Sequence, residues 1–325
     1  MPPIEKKDGI ELTAETDTAL KNEKDKDKKS KSKKSSKSKD EKTKIEEANA
    51  ISEEDQELKE RLETCVSTLL NSQKEASVTT PIRLQSLDMI VTELRTATSS
   101  MTSVPKPLKF LRPFFASLKK LHDSLLLSIK DTDLEGAMET DTDKVEIDKD
   151  TADLLKLRAR LADVLAVLSM TLGKHEERES LTFKLSGMKD YAKLEKLSSS
   201  EMKDGQEEAK EKDDNLGSWG HEFVRSLTGE IGQEYNARVI AGADPDQDSP
   251  FADLLVMVDV IVPFHVNHNA EAEAVDLLLD VQRLKKLLDL DSIDEKNYRR
   301  ICNYLIKTAD YQSDPDDLKV SAFLC

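Results

Sequence analysis

The residues best suited to chemistry in this sequence are three histidines, His221, His265 and His268. His265 and His268 stand in an H-x-x-H spacing just after Pro263, and His221-Glu222 opens a separate stretch. Imidazole and carboxylate groups so spaced can hold a zinc ion that activates water for hydrolysis. The pattern is incomplete. No cysteine pair lies nearby, and His221-Glu222 is followed by Phe223-Val224-Arg225, without the second histidine of a zinc-protease helix. The expectation is structural: Trp219 fills the core, and His221 or Glu222 bonds a neighbouring helix. A metal-dependent hydrolase built on the three histidines is the rival from the enzyme class.

Alternating carboxylates suggest calcium in residues 131–149, where Asp131, Asp133 and Glu135 are followed by Asp141 and Asp143. Counted from Asp131 as an EF-hand loop, the sixth position is Gly136 as required, but the twelfth is Thr142 where the bidentate glutamate belongs. The calcium pattern fails at that ligand. Cys65, Cys302 and Cys325 form neither an even set nor a close pair, and no apolar run near Met1 suits a signal peptide, so a reducing compartment is expected. Cys65 and Cys302 fall among apolar positions of helices and read as buried structural thiols. The sequence contains no G-x-x-x-x-G-K-[ST], no G-x-G-x-x-G and no G-x-S-x-G. No catalytic, cofactor-binding or metal-binding residue is therefore assigned, no cofactor is expected, and partner-binding residues are left unassigned.

Charge divides the chain sharply. The net charge is −16, yet residues 21–44 hold 12 lysines against five acidic side chains, leaving about −23 on the remainder. A body so acidic repels nucleic acid and anionic membranes, and only the Lys-rich tail could attract either. That tail, with Lys28 to Lys39 at its centre, reads equally as a solubilising segment or as a nuclear localisation or nucleic-acid arm. It contains no aromatic or arginine residue for stacking or bidentate phosphate contacts. No apolar stretch reads as long enough to cross a bilayer, since Leu154–Leu172 is interrupted by Lys156, Arg158, Arg160 and Asp163.

The elements that must position these residues read as helices throughout. Aromatic content is 4%, charged content 35%, and ten glycines with ten prolines are too few for a turn-rich all-β chain. Residues 1–51 are expected to be a disordered Lys/Ser-rich tail, because so few apolar side chains cannot offset the entropy of ordering. Residues 52–130 form a helical segment: Ser52 with Asp55 marks a cap, a second helix starts at Thr80-Pro81, and Pro105, Pro107 and Pro113 impose a bent connector. Residues 131–149 follow as an acidic loop. Residues 150–188 form the next helical segment, in which Leu154, Leu157, Leu161, Val164, Leu168 and Leu172 mark a core helix closed by Gly173. A short helix through Leu181, Phe183 and Leu185 is expected to end at Gly187. Residues 189–215 read as a charged, disordered insertion.

Residues 216–325 read as helical repeats. One helix carries Trp219, Phe223, Leu227, Ile231 and Tyr235, another begins at Ser249-Pro250 and breaks at Pro263, a third spans Ala270 to Leu288, and a fourth follows a Ser292–Glu295 capping box. Asp314-Pro315 opens the last, which shows no stop signal before Leu324 and Cys325, so a C-terminal truncation is expected. The starts recur with a two-helix period of about 43 residues, within the range of HEAT-like repeats. The fold class is therefore all-α: antiparallel helix pairs forming a HEAT-like α-solenoid rod behind the tail.

Three irregular strings carry a further signal: Thr102–Pro113, TSVPKPLKFLRP; Ser218–Arg225, SWGHEFVR; and His268–Leu278, HNAEAEAVDLL. In wording and order the chain from about Ser52 onward resembles the N-terminal part of one family, the largest non-ATPase subunit in the base of the 26S proteasome regulatory particle. Residues 131–149 and 189–215 look inserted relative to that family. The resemblance implies a non-catalytic scaffold in ubiquitin-dependent protein degradation, working in cytoplasm and nucleus and linking base ATPase subunits to ubiquitin receptors. It also implies that contacts with ubiquitin and ubiquitin-like domains belong to a later family region not contained in this sequence. An α-solenoid adaptor acting through the Lys-rich tail on nucleic acid is the alternative.

Overall fold

Ser52 caps the first described helix, its hydroxyl accepting from the backbone N–H of Asp55 at 3.2 Å. The computed structural model describes residues 52–71, 79–98, 104–130, 149–172, 175–201, 216–312 and 315–325. The chain divides into two units, Met1–Ile51 and Ser52–Cys325. The first unit lies outside the described residues, as do the acidic stretch 131–148, Gly173 and residues 202–215, so the expectations placed on them are not addressed by the structure.

Eleven α-helices and no strands occur among the described residues, and the helices pack as antiparallel pairs in the manner of an α-solenoid. They are α1 (Glu53–Leu70), α2 (Thr80–Thr98), α3 (Lys106–Leu111), α4 (Phe115–Lys130), α5 (Lys149–Met170), α6 (Glu179–Glu201), α7 (His221–Ile240), α8 (Ala252–Asn267), α9 (Glu271–Asp280), α10 (Glu295–Thr308) and α11 (Pro315–Leu324). One continuous apolar core runs through all of them, from Leu62 to Leu324.

Helix α5 lies at the centre of the first half, against α2, α4 and α6. From Leu157 to Ser169 every residue except Arg160 is buried, so this helix presents core on all sides and not on a single stripe. Its leucine spacing was legible in the sequence; its full enclosure required partners on three sides.

Four boundaries differ from the sequence reading, each for a local reason. Gly187 does not end α6, which continues to Glu201 and takes residues 189–201 into ordered helix. Gly187 is a notch: a Cβ there would lie 3.3 Å from the Ala159 carbonyl and 3.4 Å from Ala162 Cβ, so its bareness permits close approach of α5. Pro263 does not break α8; it sits inside the helix, which runs on to Asn267 because its flanks are held in the core by Ile261, Val262, His265 and Val266. Helix α9 stops at Asp280, well before Leu288. The Arg283 N–H returns to Leu278 O at 2.8 Å and Gln282 adopts a φ of +54°, a Schellman-like closure achieved without glycine. The cap of α10 is Asp294, whose carboxylate accepts from the N–H groups of Lys296 and Asn297 while Asn297 returns the bond, so the capping box begins two residues later than Ser292.

Residues Ser249–Asn267 are, by length and composition alone, apolar enough to cross a membrane, a point that the sequence reading passed over. Half of this stretch is buried against the protein, chiefly α7 and α9. Asp253 on the same helix forms a bidentate pair with Arg238, at 2.6 and 3.0 Å. Such burial and pairing describe a core helix.

Candidate functional site

The three histidines do meet. His221 begins α7, and His265 and His268 close α8, so the α7–α8 packing brings their rings together with Phe264. The His221 ring stands edge-on to His268 with centroids 4.9 Å apart and lies 5.0 Å from Phe264; Phe264 and His268 are 4.1 Å apart. One nitrogen each of His265 and His268 is engaged elsewhere. His268 Nδ1 donates to Phe264 O at 2.7 Å, and His265 Nε2 lies 3.1 Å from Thr228 Oγ1. Thr228 gives its own proton to Val224 O, so His265 Nε2 must be the N–H donor, leaving its buried Nδ1 as an unpartnered acceptor. Burial pushes the His265 pKa down to about 4, so the ring is neutral at physiological pH. Among the described residues no group of three or more His, Cys, Asp or Glu side chains is placed to hold a metal ion. The arrangement packs a helix corner. His221 and Glu222 are both exposed, and His221 makes ring contacts where a hydrogen bond to a neighbouring helix was expected.

The three irregular strings prove to be fasteners between helices. In TSVPKPLKFLRP, Pro107 occupies the first turn of α3, and a 3-10 turn at Arg112–Phe114 bends the chain into α4, as its prolines require. Both ends are tied: Lys106 Nζ pairs with Asp55 at 2.7 Å, and Arg112 reaches the Thr171 hydroxyl at 3.1 Å and the Thr171 carbonyl just beyond the end of α5. A guanidinium there gives the Thr171 carbonyl a partner and complements the negative dipole end of the helix.

In SWGHEFVR, Trp219 fills the core before α7 begins, with Arg95 of α2 lying 4.8 Å over its ring. Gly220 makes the corner at φ +88°, a conformation that disfavours any side chain. Further along α7, the buried Glu230 carboxylate accepts from the Leu181 N–H at 2.8 Å, supplying from another helix a partner for the amino end of α6. In HNAEAEAVDLL, Asn269 at φ +60° turns the chain, and Arg300 of α10 clasps both Asn269 Oδ1 at 3.0 Å and the buried Glu271.

Buried polar pairs across the α5–α6 seam escape the sequence reading. Arg158 of α5 pairs with Asp190 of α6 and donates to Ser186 at 3.0 Å, with His122 of α4 behind Ser186. Lys184 meets Asp163 at 2.8 Å, and the Tyr191 hydroxyl donates to the other Asp163 oxygen at 3.1 Å. The available signal was the appearance of Arg158 and Asp163 within an otherwise apolar helix, which a purely hydrophobic reading treats as interruption. Asp190 and Tyr191 fall in the stretch 189–215 whose charge reads as a disordered insertion.

Asp131, Asp133, Glu135, Asp141 and Asp143 lie outside the described residues. Cys65 is buried, and burial raises its thiol pKa; Cys302 is half-buried, with Sγ 3.4 Å from Leu324 O. Cys325, whose Sγ donates to Cys302 O at 3.6 Å, is pushed up to about 11 by burial and by Cys302. Thiols held protonated in this way are poor nucleophiles at neutral pH.

Comparison with known proteins accords with an architecture of locks and packed seams. The chain matches the family model described as the RPN1 N-terminal domain over residues 62–324. It is 37% identical over 268 residues to 26S proteasome non-ATPase regulatory subunit 2 homolog A of Arabidopsis thaliana, covering 82% of this chain and 23% of that protein. It is likewise 37% identical over 270 residues to 26S proteasome non-ATPase regulatory subunit 2 of Dictyostelium discoideum, covering 83% and 23%. With the 26S proteasome regulatory subunit RPN1 of Candida glabrata it shares 34% identity over 282 residues, covering 82% and 23%. The chain thus spans less than a quarter of the length of these relatives. The match over most of its length, through all three fastening strings, shows that the chain belongs to the family of the RPN1 N-terminal domain, that of the 26S proteasome non-ATPase regulatory subunit 2.

Proposed function

We propose that this chain is a non-catalytic scaffold segment of the proteasome regulatory particle base, supporting ubiquitin-dependent degradation by holding base ATPase subunits and ubiquitin receptors in a fixed relation. The observation that carries the reading is the family match across residues 62–324, with relatives that are regulatory, non-ATPase subunits. The physical character of the chain supports it. Buried ion pairs and arginine clasps at successive helix junctions resist bending, which suits a part that positions others. The protein works in cytoplasm and nucleus, where its partners are the base ATPases and neighbouring regulatory-particle subunits.

Native affinity purification of the chain, followed by mass spectrometry, should recover base ATPase subunits in constant proportion. Recovery without them removes the reading. The 12 lysines in residues 21–44 favour one second reading, a tail-dependent nucleic-acid adaptor. Deleting residues 1–50 separates the two: loss of chromatin association with proteasome co-purification intact assigns the tail a task of its own.

A further inference from the structure

An open groove of about 850 Å³ lies along α6, bounded by α4, α5 and α7. Leu126, Leu181 and Leu185 supply its apolar lining, and Arg158, Arg178, Lys189, Lys193 and Lys196 its positive charge. The two carboxylates in the wall, Asp190 and Glu234, are already engaged: Asp190 by Arg158, and Glu234 by Arg178 at 3.2 Å and Arg238 at 2.9 Å. Both groove arginines are committed by those pairs. Lys189, Lys193 and Lys196 recur at intervals of four and three on one face of α6. Lys189 and Lys193 act on Asp253 and Asp190 through space, and none of the three forms a direct ion pair with a carboxylate among the described residues. Like charges so spaced repel one another along a helix, and an anionic ligand relieves that repulsion.

We propose that this groove is a docking site for an acidic peptide segment of a partner protein, one that sets several carboxylates against Lys189, Lys193 and Lys196 and an apolar side chain against Leu126 and Leu185. Charge complementarity selects the occupant. The groove is a local positive field on a chain of net charge −16. A long polyanion such as nucleic acid would meet the surrounding negative body, whereas a short segment is governed by charges within a screening length of roughly 8 Å. Lysines act as point charges suited to carboxylates spread along a chain, and the arginine forks that grip phosphate are engaged elsewhere. The apolar floor gives a peptide something to bury that a free anion lacks. The inference deepens the scaffold reading but is measured on the purified chain alone, so its failure leaves proteasome membership undecided, and the reverse also holds.

The test uses the full 325-residue chain and a fluorescein-labelled peptide of repeated Glu-Glu-Leu, followed by anisotropy. Binding should weaken with added salt, and K189E/K193E/K196E should reduce affinity by roughly tenfold or more. The milder K189A/K193A/K196A should lose part of it, and K285E/K296E/K307E, with the same charge change elsewhere, should lose none. Circular dichroism melts confirm that each variant remains folded. Equal losses from both charge reversals, or no binding by the parent chain, overturn the proposal. A single-stranded oligonucleotide binding as tightly with the same lysine dependence overturns it in favour of a general polyanion site. Tenfold tighter peptide binding after deletion of residues 131–148 overturns it in favour of the chain's own acidic stretch as occupant.

Discussion

Arg158 and Asp190 face each other across the α5–α6 seam, both almost wholly shielded from water, with 6% and 2% of their surface exposed. A pair so enclosed adds little net stability when whole, since both charges are desolvated to form it, but breaking it strands a charge. Burial raises the Asp190 pKa, and Arg158, with a smaller contribution from Lys193, opposes that rise. R158M should therefore destabilise the chain by about 3–5 kcal/mol, and R158M/D190L should recover most of the loss. Urea denaturation followed by circular dichroism reads both. Equal destabilisation by the single and double variants would show that the pair is not the coupled unit described here.

Two glycines in neighbouring helices should respond in opposite directions. Gly229 has nothing within 4 Å of where a Cβ would lie, so G229A should stabilise α7 by about 0.5–1 kcal/mol through helix propensity. Gly187 abuts the Ala159 carbonyl and Ala162, so G187L should force α6 away from α5 and cost about 1–3 kcal/mol. Thermal melts of the two variants against the parent give the signs directly.

The pH dependence of stability should carry the mark of His265. Its pKa is lowered from 6.5 to about 4, chiefly by burial, with Arg225, His221 and His268 acting in the same direction and Glu273 against it. The unfolded chain thus takes up a proton between pH 6.5 and about 4 that the folded chain refuses, and stability falls as pH falls through that window. His122, lowered by burial and by Arg158, contributes with the same sign. H265Q should flatten the slope by up to one proton between pH 6 and about 4.5. Denaturation midpoints measured across that range decide it, and an unchanged slope would place the lost proton elsewhere.

Arg112 ties the proline-rich connector to Thr171. R112A should leave the Thr171 carbonyl and hydroxyl without this partner and cost about 1–3 kcal/mol, with amide hydrogen exchange accelerating first near the end of α5. K106A, which removes only the exposed pair to Asp55, should cost less than R112A.

Much of this fold was open to a reader of the sequence. Ser52, Thr80 and Pro315 announce helix starts through local capping chemistry, and the leucine spacing of α5 announces a core helix, because both signals act over one or two turns of chain. The bend at Pro105, Pro107 and Pro113 was equally plain, since proline geometry is fixed wherever it occurs.

What the sequence determined by itself was therefore local: an all-helical class, most helix starts, the lack of known nucleotide-binding motifs, and a family wording in three irregular strings. The tertiary structure alone decided that Gly187 and Pro263 lie within helices, that buried Asp190 pairs with Arg158 and half-buried Tyr191 with Asp163, and that three histidines meet at one corner. The reason is one of range. A glycine reads as a stop until another helix presses against it, and a charged residue reads as solvent-facing until its counter-ion arrives from a helix 32 residues away.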